Sequence, residues 1–168
     1  MSDAGEKKLR LAVVGCGMVS ERFHAPAIGA VPGFVPAVMV DRDPARAAVL
    51  TSIFSGAVAE SDYTTLAGRV DAAIVALPNQ LNAKVSAELL RMGIPVLVEK
   101  PAALTIEDAR MLLASQERAR LAVGFIRREA VGIRLAKACI ERGMLGEVTA
   151  FSVEDGYWFN WQAVNEFR

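Results

Sequence analysis

The sequence LAVVGCGMVS, residues 11–20, decides how the fold of this chain is interpreted. Its first part completes an apolar run from residue 9 to residue 14, which is typical of a buried strand. Gly15 and Gly17 then match the first two glycines of a G-x-G-x-x-G pattern, and Ser20 stands at the third position. The pattern predicts a tight strand-to-helix turn whose backbone can approach the pyrophosphate of a dinucleotide. A plain structural turn is the alternative.

Strand and helix patterns alternate through most of the chain. The predicted strands cover residues 9–14, 34–40, 57–59, 71–77, 94–98 and 121–124, and the predicted helices cover residues 19–30, 43–52, 80–92, 105–119 and 129–142. Such units predict an α/β fold with a Rossmann-type, doubly wound parallel sheet. We expect residues 1–124 to form this dinucleotide-binding domain. Residues 125–168 would be the truncated start of a second α/β domain, and their alternating segment at 147–157 predicts a strand.

The composition argues against several classes of partner. Lys+Arg and Asp+Glu each number 19 in 168 residues, so no excess of positive charge predicts binding to nucleic acid or to an anionic membrane. No apolar run approaches the roughly 18 residues of a membrane span. Cys16 and Cys139 are too few for a disulfide framework or a metal site. Because the polar N-terminus also lacks the apolar core of a signal peptide, we expect a cytoplasmic protein.

A carboxylate follows the second predicted strand. Asp41 lies about 20 positions after Ser20, where dinucleotide-binding folds place the acidic residue that accepts hydrogen bonds from the ribose hydroxyls. Its negative charge would repel a 2′-phosphate, so Asp41 favours NAD over NADP. Arg42 and Arg46 leave NADP open, because a guanidinium could hold that phosphate. A turn residue near a helix start is the structural alternative for Asp41.

Two later strands end in residues that can face a ligand. Leu77, Pro78 and Asn79 close the fourth predicted strand, and Glu99 and Lys100 follow the fifth. Both groups belong at the carboxyl edge of a parallel sheet, where ligands bind. A lysine there can carry a proton to or from a substrate hydroxyl. The alternative is an exposed charge pair that merely closes a strand.

Two further polar residues lie near the glycine turn. His24 is the only histidine, and we interpret it as a packing residue in preference to a catalytic one. Cys16 lies within the turn itself, where its expected role is to be small, and reactive thiol chemistry is the alternative.

Together these residues resemble the Gfo/Idh/MocA oxidoreductase family. The resemblance runs along nearly the whole chain, through VVGCGMVSERFHAPAI, VDRDPARAAVL, AIVALPNQLNAKVSAELLRMGIPVLVEKPAALTIEDARML, and VGFIRR followed by AKACIERGMLGEVTAF. It implies a Rossmann domain followed by an α/β domain with an open, largely antiparallel sheet. It also implies an NAD(P)-dependent oxidoreductase that transfers a hydride between nicotinamide and a sugar, polyol or related carbinol. In full-length form such a protein is expected to be a homo-oligomer.

The resemblance implies specific roles for the residues at the strand ends. Lys100 matches the lysine of the family's EKP motif, so it would be the catalytic residue that assists proton transfer, and its bond to Pro101 is expected to be cis. The residues expected to bind the cofactor are Gly15, Gly17, Met18, Val19, Asp41, Arg42, Leu77, Pro78, Asn79, Glu99 and Lys100.

The chain also departs from the family pattern. Ser20 replaces a frequent glycine, and Asn82 stands where a histidine is common, so no proton can be carried at that position. The family's second domain supplies a further catalytic histidine, for which no residue of this chain can substitute. The alternatives to an enzyme are a non-catalytic NAD-binding sensor or interaction module, and a remnant that binds no ligand.

Overall fold

The computed structural model describes residues 8–117, 119–154 and 156. Its strands are β1 (Leu9–Val14), β2 (Phe34–Val40), β3 (Val58–Glu60), β4 (Ala72–Val75), β5 (Val96–Val98) and β6 (Leu121–Val123). Its α-helices are α1 (Ala25–Ala30), α2 (Pro44–Ile53), α3 (Asn79–Arg91), α4 (Ile106–Ala114) and α5 (Val131–Glu141). The chain divides into two compact units, of which the first ends at Phe125 and the second begins at Ile126.

The first unit is built around a six-stranded sheet in the order β3-β2-β1-β4-β5-β6. Every neighbouring pair of strands is parallel. This is the strand order of a Rossmann fold. Successive strands are added on one side of β1 as far as β3, and the chain then crosses to add β4, β5 and β6 on the other side. The predicted fold class is therefore confirmed.

Each face of the sheet carries a core cluster, because side chains alternate across each strand and helices pack on both sides. On one face Leu11 and Val13 of β1 belong to a core cluster with Ile28 of α1 and Leu50 of α2. The opposite face has a larger cluster, which joins alternate strand residues such as Val14 to helical residues that include Leu89, Leu90 and Leu112. The apolar runs of the sequence therefore form the core on both sides of the sheet, and this core holds the strands in position.

Two helices begin where their capping residues predict. Asp43 accepts a hydrogen bond from the Ala45 N–H at 3.0 Å, and Pro44 is the first residue of α2. The Thr105 hydroxyl accepts from the Asp108 N–H at 3.0 Å and caps α4. Gly93 has a φ of +82° just after α3, a conformation that suits glycine at the end of a helix.

The first helix contains a π-helical turn before α1. Residues Ser20–His24 are π-helical, and the Ala25 N–H donates to the Ser20 carbonyl, five residues back. Pro26 then lies in the first turn of α1, where its missing N–H costs least. The single helix predicted over residues 19–30 is thus divided into a π-helical turn and α1.

Several elements are shorter than predicted. β5 begins at Val96, because Pro95 has no N–H to donate to the sheet. α4 ends at Ala114 and gives way to a 3-10 turn at Ser115–Glu117, whereas the sequence predicted a helix to residue 119.

The second unit contains a 3-10 turn at Ile126–Glu129 and then α5. Gly143, with a φ of +68°, follows the end of α5. The predicted strand at 147–157 is wrong over residues 147–154, because these residues form no strand. Alternation predicts a strand only where a neighbour pairs with it, and no strand among the described residues does so. Residues 155 and 157 lie outside the described residues.

Candidate functional site at the carboxyl edge of the sheet

Gly15 turns the chain sharply at the end of β1. Its φ is +97°, a left-handed conformation that side chains other than glycine rarely adopt. A Cβ on this residue would overlap the Ala76 carbonyl group and come within 3.1 Å of Leu77 Cδ2. Glycine is therefore required here by the fold itself, because the ends of β1 and β4 meet at this point.

Gly17, in contrast, is not required by any contact within the protein. Its φ is ordinary, and a Cβ would meet no atom within 4 Å in the described part of the chain. The first helical hydrogen bond runs from the Glu21 N–H to the Gly17 carbonyl, at 3.0 Å. The N–H groups of Met18 and Val19 precede that bond, as expected at a helix start. Open space therefore lies beside backbone donors, which suits a phosphate group.

Ser20 joins the new helix to the turn. Its side chain is fully buried, and its hydroxyl donates to the Gly15 carbonyl at 2.5 Å. The hydrogen bond satisfies a hydroxyl that would otherwise be costly to bury at the position usually held by glycine. Ser20 therefore preserves close packing between turn and helix, because it is small and its hydroxyl has a partner.

The Asp41 carboxylate is fixed by two backbone N–H groups. Oδ2 accepts from Cys16 at 2.9 Å and Oδ1 accepts from Asp43 at 2.9 Å, so the carboxylate links the glycine turn to the start of α2. Each oxygen keeps a free lone pair for a further donor. The Arg46 Nε atom lies 3.6 Å from Asp43 Oδ2, and Arg42 is exposed next to Asp41 in the chain.

Cys16 is held as an unreactive thiol. Its side chain is buried, and its Sγ lies 3.5 Å from the Val40 carbonyl oxygen. Burial, followed by the negative charge of Asp41, raises the pKa of Cys16 to about 12. Because the thiolate is the reactive form, nucleophilic chemistry at this cysteine is disfavoured.

Asn82 ties together the ends of β4 and β5. Its side chain is 1% exposed, accepts from the Leu77 N–H at 3.1 Å, and donates to the carbonyl oxygens of Pro101 (3.1 Å) and Glu99 (3.4 Å). The sequence identified this residue only as one that replaces a titrating histidine. The structure gives it the role of a buried amide that braces the Lys100–Pro101 peptide, which is cis as the resemblance implied.

Glu99 is half-buried beside Lys100. One carboxylate oxygen is 3.1 Å from His24 Nε2, and the other accepts from the Lys100 N–H at 3.1 Å. A Cβ at Gly124 would lie 3.2 to 3.3 Å from the carboxylate atoms, so this glycine leaves room for them. The contact with His24, and after it the Lys100 N–H, lowers the pKa of Glu99 against the opposing effect of burial. The Lys100 side chain itself is exposed.

The predicted site residues follow four strands that end at one edge of the sheet. They lie after β1 (Gly15, Gly17, Met18, Val19), after β2 (Asp41, Arg42), after β4 (Leu77, Pro78, Asn79) and after β5 (Glu99, Lys100). Parallel strands place their carboxyl ends together, so one ligand can reach all four groups. Sequence reasoning did not assign the contact between His24 and Glu99 or the room left by Gly124, because neither follows from local spacing.

A separate apolar cavity of about 480 Å³ lies against one face of the sheet. Its lining includes Leu11, Ile28, Ile74 and Leu97, and His24 borders it. These are mid-strand and helix residues, so this cavity is distinct from the polar groups at the carboxyl edge. No helix in the described ranges has the length and apolar character needed to span a bilayer.

Known proteins are similar to this chain in sequence and in structure. Inositol 2-dehydrogenase of Arthrobacter sp. (strain FB24) is 33% identical over 133 residues, which cover 71% of this chain and 37% of that protein. The WlbA dehydrogenase from Bordetella pertussis, solved in complex with NADH and UDP-GlcNAcA, superposes with a TM-score of 0.78 and 27% identity over 84% of this chain and 42% of its own.

KijD10, a 3-ketoreductase from Actinomadura kijaniata solved with NADP and TDP-benzene, has a TM-score of 0.74 and 30% identity, over 84% of this chain and 44% of its own. The chain thus spans less than half the length of each of these three relatives. The model of the Gfo/Idh/MocA family, described as an oxidoreductase family with an NAD-binding Rossmann fold, matches residues 9–125. This chain therefore belongs to the Gfo/Idh/MocA oxidoreductase family.

Proposed function

We propose that this chain supplies the cofactor-binding half of an NAD(P)-dependent oxidoreductase that acts on a sugar, polyol or related carbinol. The observation that carries the proposal is the helix start beyond β1, where Gly17 leaves open space beside backbone N–H groups at the carboxyl edge of the sheet. The residues from Ile126 onward are proposed to begin the substrate domain, through which the full-length protein would assemble as a homo-oligomer.

The backbone at the helix start is proposed to hold the pyrophosphate. The N–H groups of Met18 and Val19, together with the positive end of the helix dipole, would bind the phosphate oxygens. Gly17 lets those oxygens approach, since no Cβ intervenes. The residues after β4, Leu77 to Asn79, would contact the middle of the dinucleotide at the switch point between β1 and β4.

We propose that NAD is preferred over NADP. The Asp41 carboxylate is already oriented by the N–H groups of Cys16 and Asp43, so its free lone pairs can accept from both ribose hydroxyls. Arg46 is engaged with the Asp43 carboxylate at 3.6 Å, which draws one guanidinium away from a 2′-phosphate. Arg42 remains the residue through which NADP could bind.

Lys100 is the proposed catalytic residue. A bound nicotinamide would supply the hydride chemistry at the substrate's carbinol carbon. The exposed Lys100 ammonium follows β5, at the edge where the nicotinamide would lie, and would donate a proton to the substrate oxygen or take it back through a hydrogen bond. Asn82 and Glu99 would hold the backbone on either side of this lysine.

The test is a titration of the full chain with NADH and with NADPH, in which binding is measured by the fluorescence of the bound nucleotide. We expect NADH to bind more tightly, and the variant Asp41→Ser to reduce that preference because the repulsive charge is removed. Absence of NADH binding in a folded chain would contradict the proposal. Lys100→Met in the native-length protein should abolish turnover with polyols while leaving the protein folded.

The same experiments separate the enzyme from a non-catalytic NAD-binding module. NADH binding without turnover by the native-length protein, over a range of sugars and polyols, would favour the module. The exposed lysine at the end of β5 favours the enzyme, because a purely nucleotide-binding module has no need of a proton carrier there.

A further inference from the structure

We infer that His24 is a positioning residue for the nicotinamide half of the site, acting through Glu99 on the backbone of Lys100. The inference rests on the proposed function, because it concerns how that site is held in place. It assigns to the π-helical turn a role that the family match and the sequence motifs leave open.

The two side chains meet in a largely enclosed place. His24 Nε2 and Glu99 Oε1 are 3.1 Å apart, and the side chains are 13% and 21% exposed. Nε2 is buried and forms no hydrogen bond of full geometry within the described part of the chain, and the Glu99 carboxylate lies beside it. A buried ring nitrogen without any partner would be costly, which argues against His24 as a packing residue alone.

The other carboxylate oxygen connects this contact to the proposed catalytic residue. Glu99 Oε2 accepts from the Lys100 N–H at 3.1 Å, so the carboxylate lies between the histidine and the lysine backbone. Gly124 leaves the carboxylate room, since a Cβ there would approach it to 3.2 Å. The carboxylate therefore has a partner at each oxygen, His24 at one and the Lys100 N–H at the other.

Loss of His24 removes one of these contacts. Without the ring nitrogen the Glu99 side chain can rotate about its own torsions, and its hydrogen bond to the Lys100 N–H weakens. The expected consequence is a local displacement of residues 99 and 100, which follow β5. The glycine turn and Asp41 are held by separate hydrogen bonds, so the adenine half of the site should be unaffected.

The test compares two ligands that differ in the nicotinamide. NADH and ADP-ribose are titrated against the full chain and against His24→Phe and His24→Gln. Phe keeps an aromatic ring but has no nitrogen, whereas the Gln amide can again place a donor near the carboxylate. We expect His24→Phe to weaken NADH about tenfold and to leave ADP-ribose within about twofold. His24→Gln should restore most of the NADH affinity and the emission spectrum of the bound nucleotide.

Ile28→Val is the matched control, because it trims a buried residue in the next helical turn that has no polar group to offer the Glu99 carboxylate. It should lower Tm without changing the ratio of the two affinities. Equal weakening of both ligands by His24→Phe, or unchanged NADH binding in a folded variant, would overturn the inference while the proposed function stands. A wild-type chain that binds neither ligand would instead overturn the proposed function, and the inference with it.

Discussion

Alanine at Gly15 should lower the stability of the fold, whereas alanine at Gly17 should weaken cofactor binding and leave stability nearly unchanged. Gly15 has a φ of +97° and its missing Cβ would overlap the Ala76 carbonyl, whereas Gly17 has ordinary backbone angles and open space beside it. Both changes add one methyl group within the same turn. The pair therefore separates what the fold requires from what a ligand requires.

The magnitude for Gly15→Ala follows from two contributions. A left-handed conformation costs a residue with a Cβ about 1–2 kcal/mol. Forcing a methyl group into an already packed position costs about 1–3 kcal/mol more. The free energy of unfolding should therefore fall by about 2–5 kcal/mol, a large share of the total for an ordinary domain. Gly17→Ala should leave it within about 0.5 kcal/mol of the wild-type value.

The assay is equilibrium unfolding in urea, followed by far-ultraviolet circular dichroism, with NADH titration of each folded variant. Gly17→Ala should bind NADH at least about tenfold more weakly, because the methyl group occupies the space proposed for the pyrophosphate. Wild-type stability in Gly15→Ala would refute the close approach between the ends of β1 and β4. Undiminished NADH binding by Gly17→Ala would refute the placement of the pyrophosphate.

Three further predictions concern single side chains. Ser86 is fully buried in α3, and its hydroxyl has no hydrogen-bond partner within the described ranges. Ser86→Ala should therefore raise the free energy of unfolding, measured in urea, by about 1 kcal/mol. A fall in that free energy would instead indicate that the hydroxyl makes a hydrogen bond in solution. In a Cys139→Ser variant, Cys16 is the one remaining thiol. Because its pKa is raised to about 12, it should resist thiol reagents at mildly alkaline pH until the chain unfolds. Rapid modification of Cys16 in the folded chain would contradict this prediction. The pKa of Glu99 is lowered in the folded state, so its ionised form stabilises the fold above the ordinary carboxyl pKa, and this contribution is lost as the pH falls through the lowered value. The wild type should therefore exceed Glu99→Gln in stability at neutral pH, and unfolding curves at successively lower pH should converge; a constant difference would count against the shift.

The parts of the fold that follow from local chemistry could be predicted from the sequence. The alternation of apolar runs with capped helices predicts the parallel sheet, and Asp43-Pro44 and Thr105 mark helix starts that the structure confirms. Gly15 could be assigned to a tight turn because its spacing from Gly17 is characteristic. The predicted strand at 147–157 failed over its described residues, since period-two alternation cannot supply the neighbouring strand that a sheet requires.

The candidate site could be predicted only in part, for a physical reason. The strand-end residues are brought to one edge by the direction of parallel strands, so their proximity follows from the fold class. The contact between His24 and Glu99 depends instead on the rotation of a helix about its axis, which no local pattern specifies. The amide of Asn82 likewise bonds backbone groups from two loops, and the sequence indicates only that it cannot titrate.

The π-helical turn at Ser20–His24 holds one residue more than an α-helical turn would. Each residue advances an α-helix by about a hundred degrees, so removing one from this turn would rotate its two ends against each other by that angle. Ser20 could then no longer face the Gly15 carbonyl while Ile28 faces the sheet. The extra residue of the wide turn therefore sets the angle between the two ends of the helix, so that Ser20 and Ile28 can each face its own partner. A single-residue deletion here should be far more damaging than any single substitution on its exposed side.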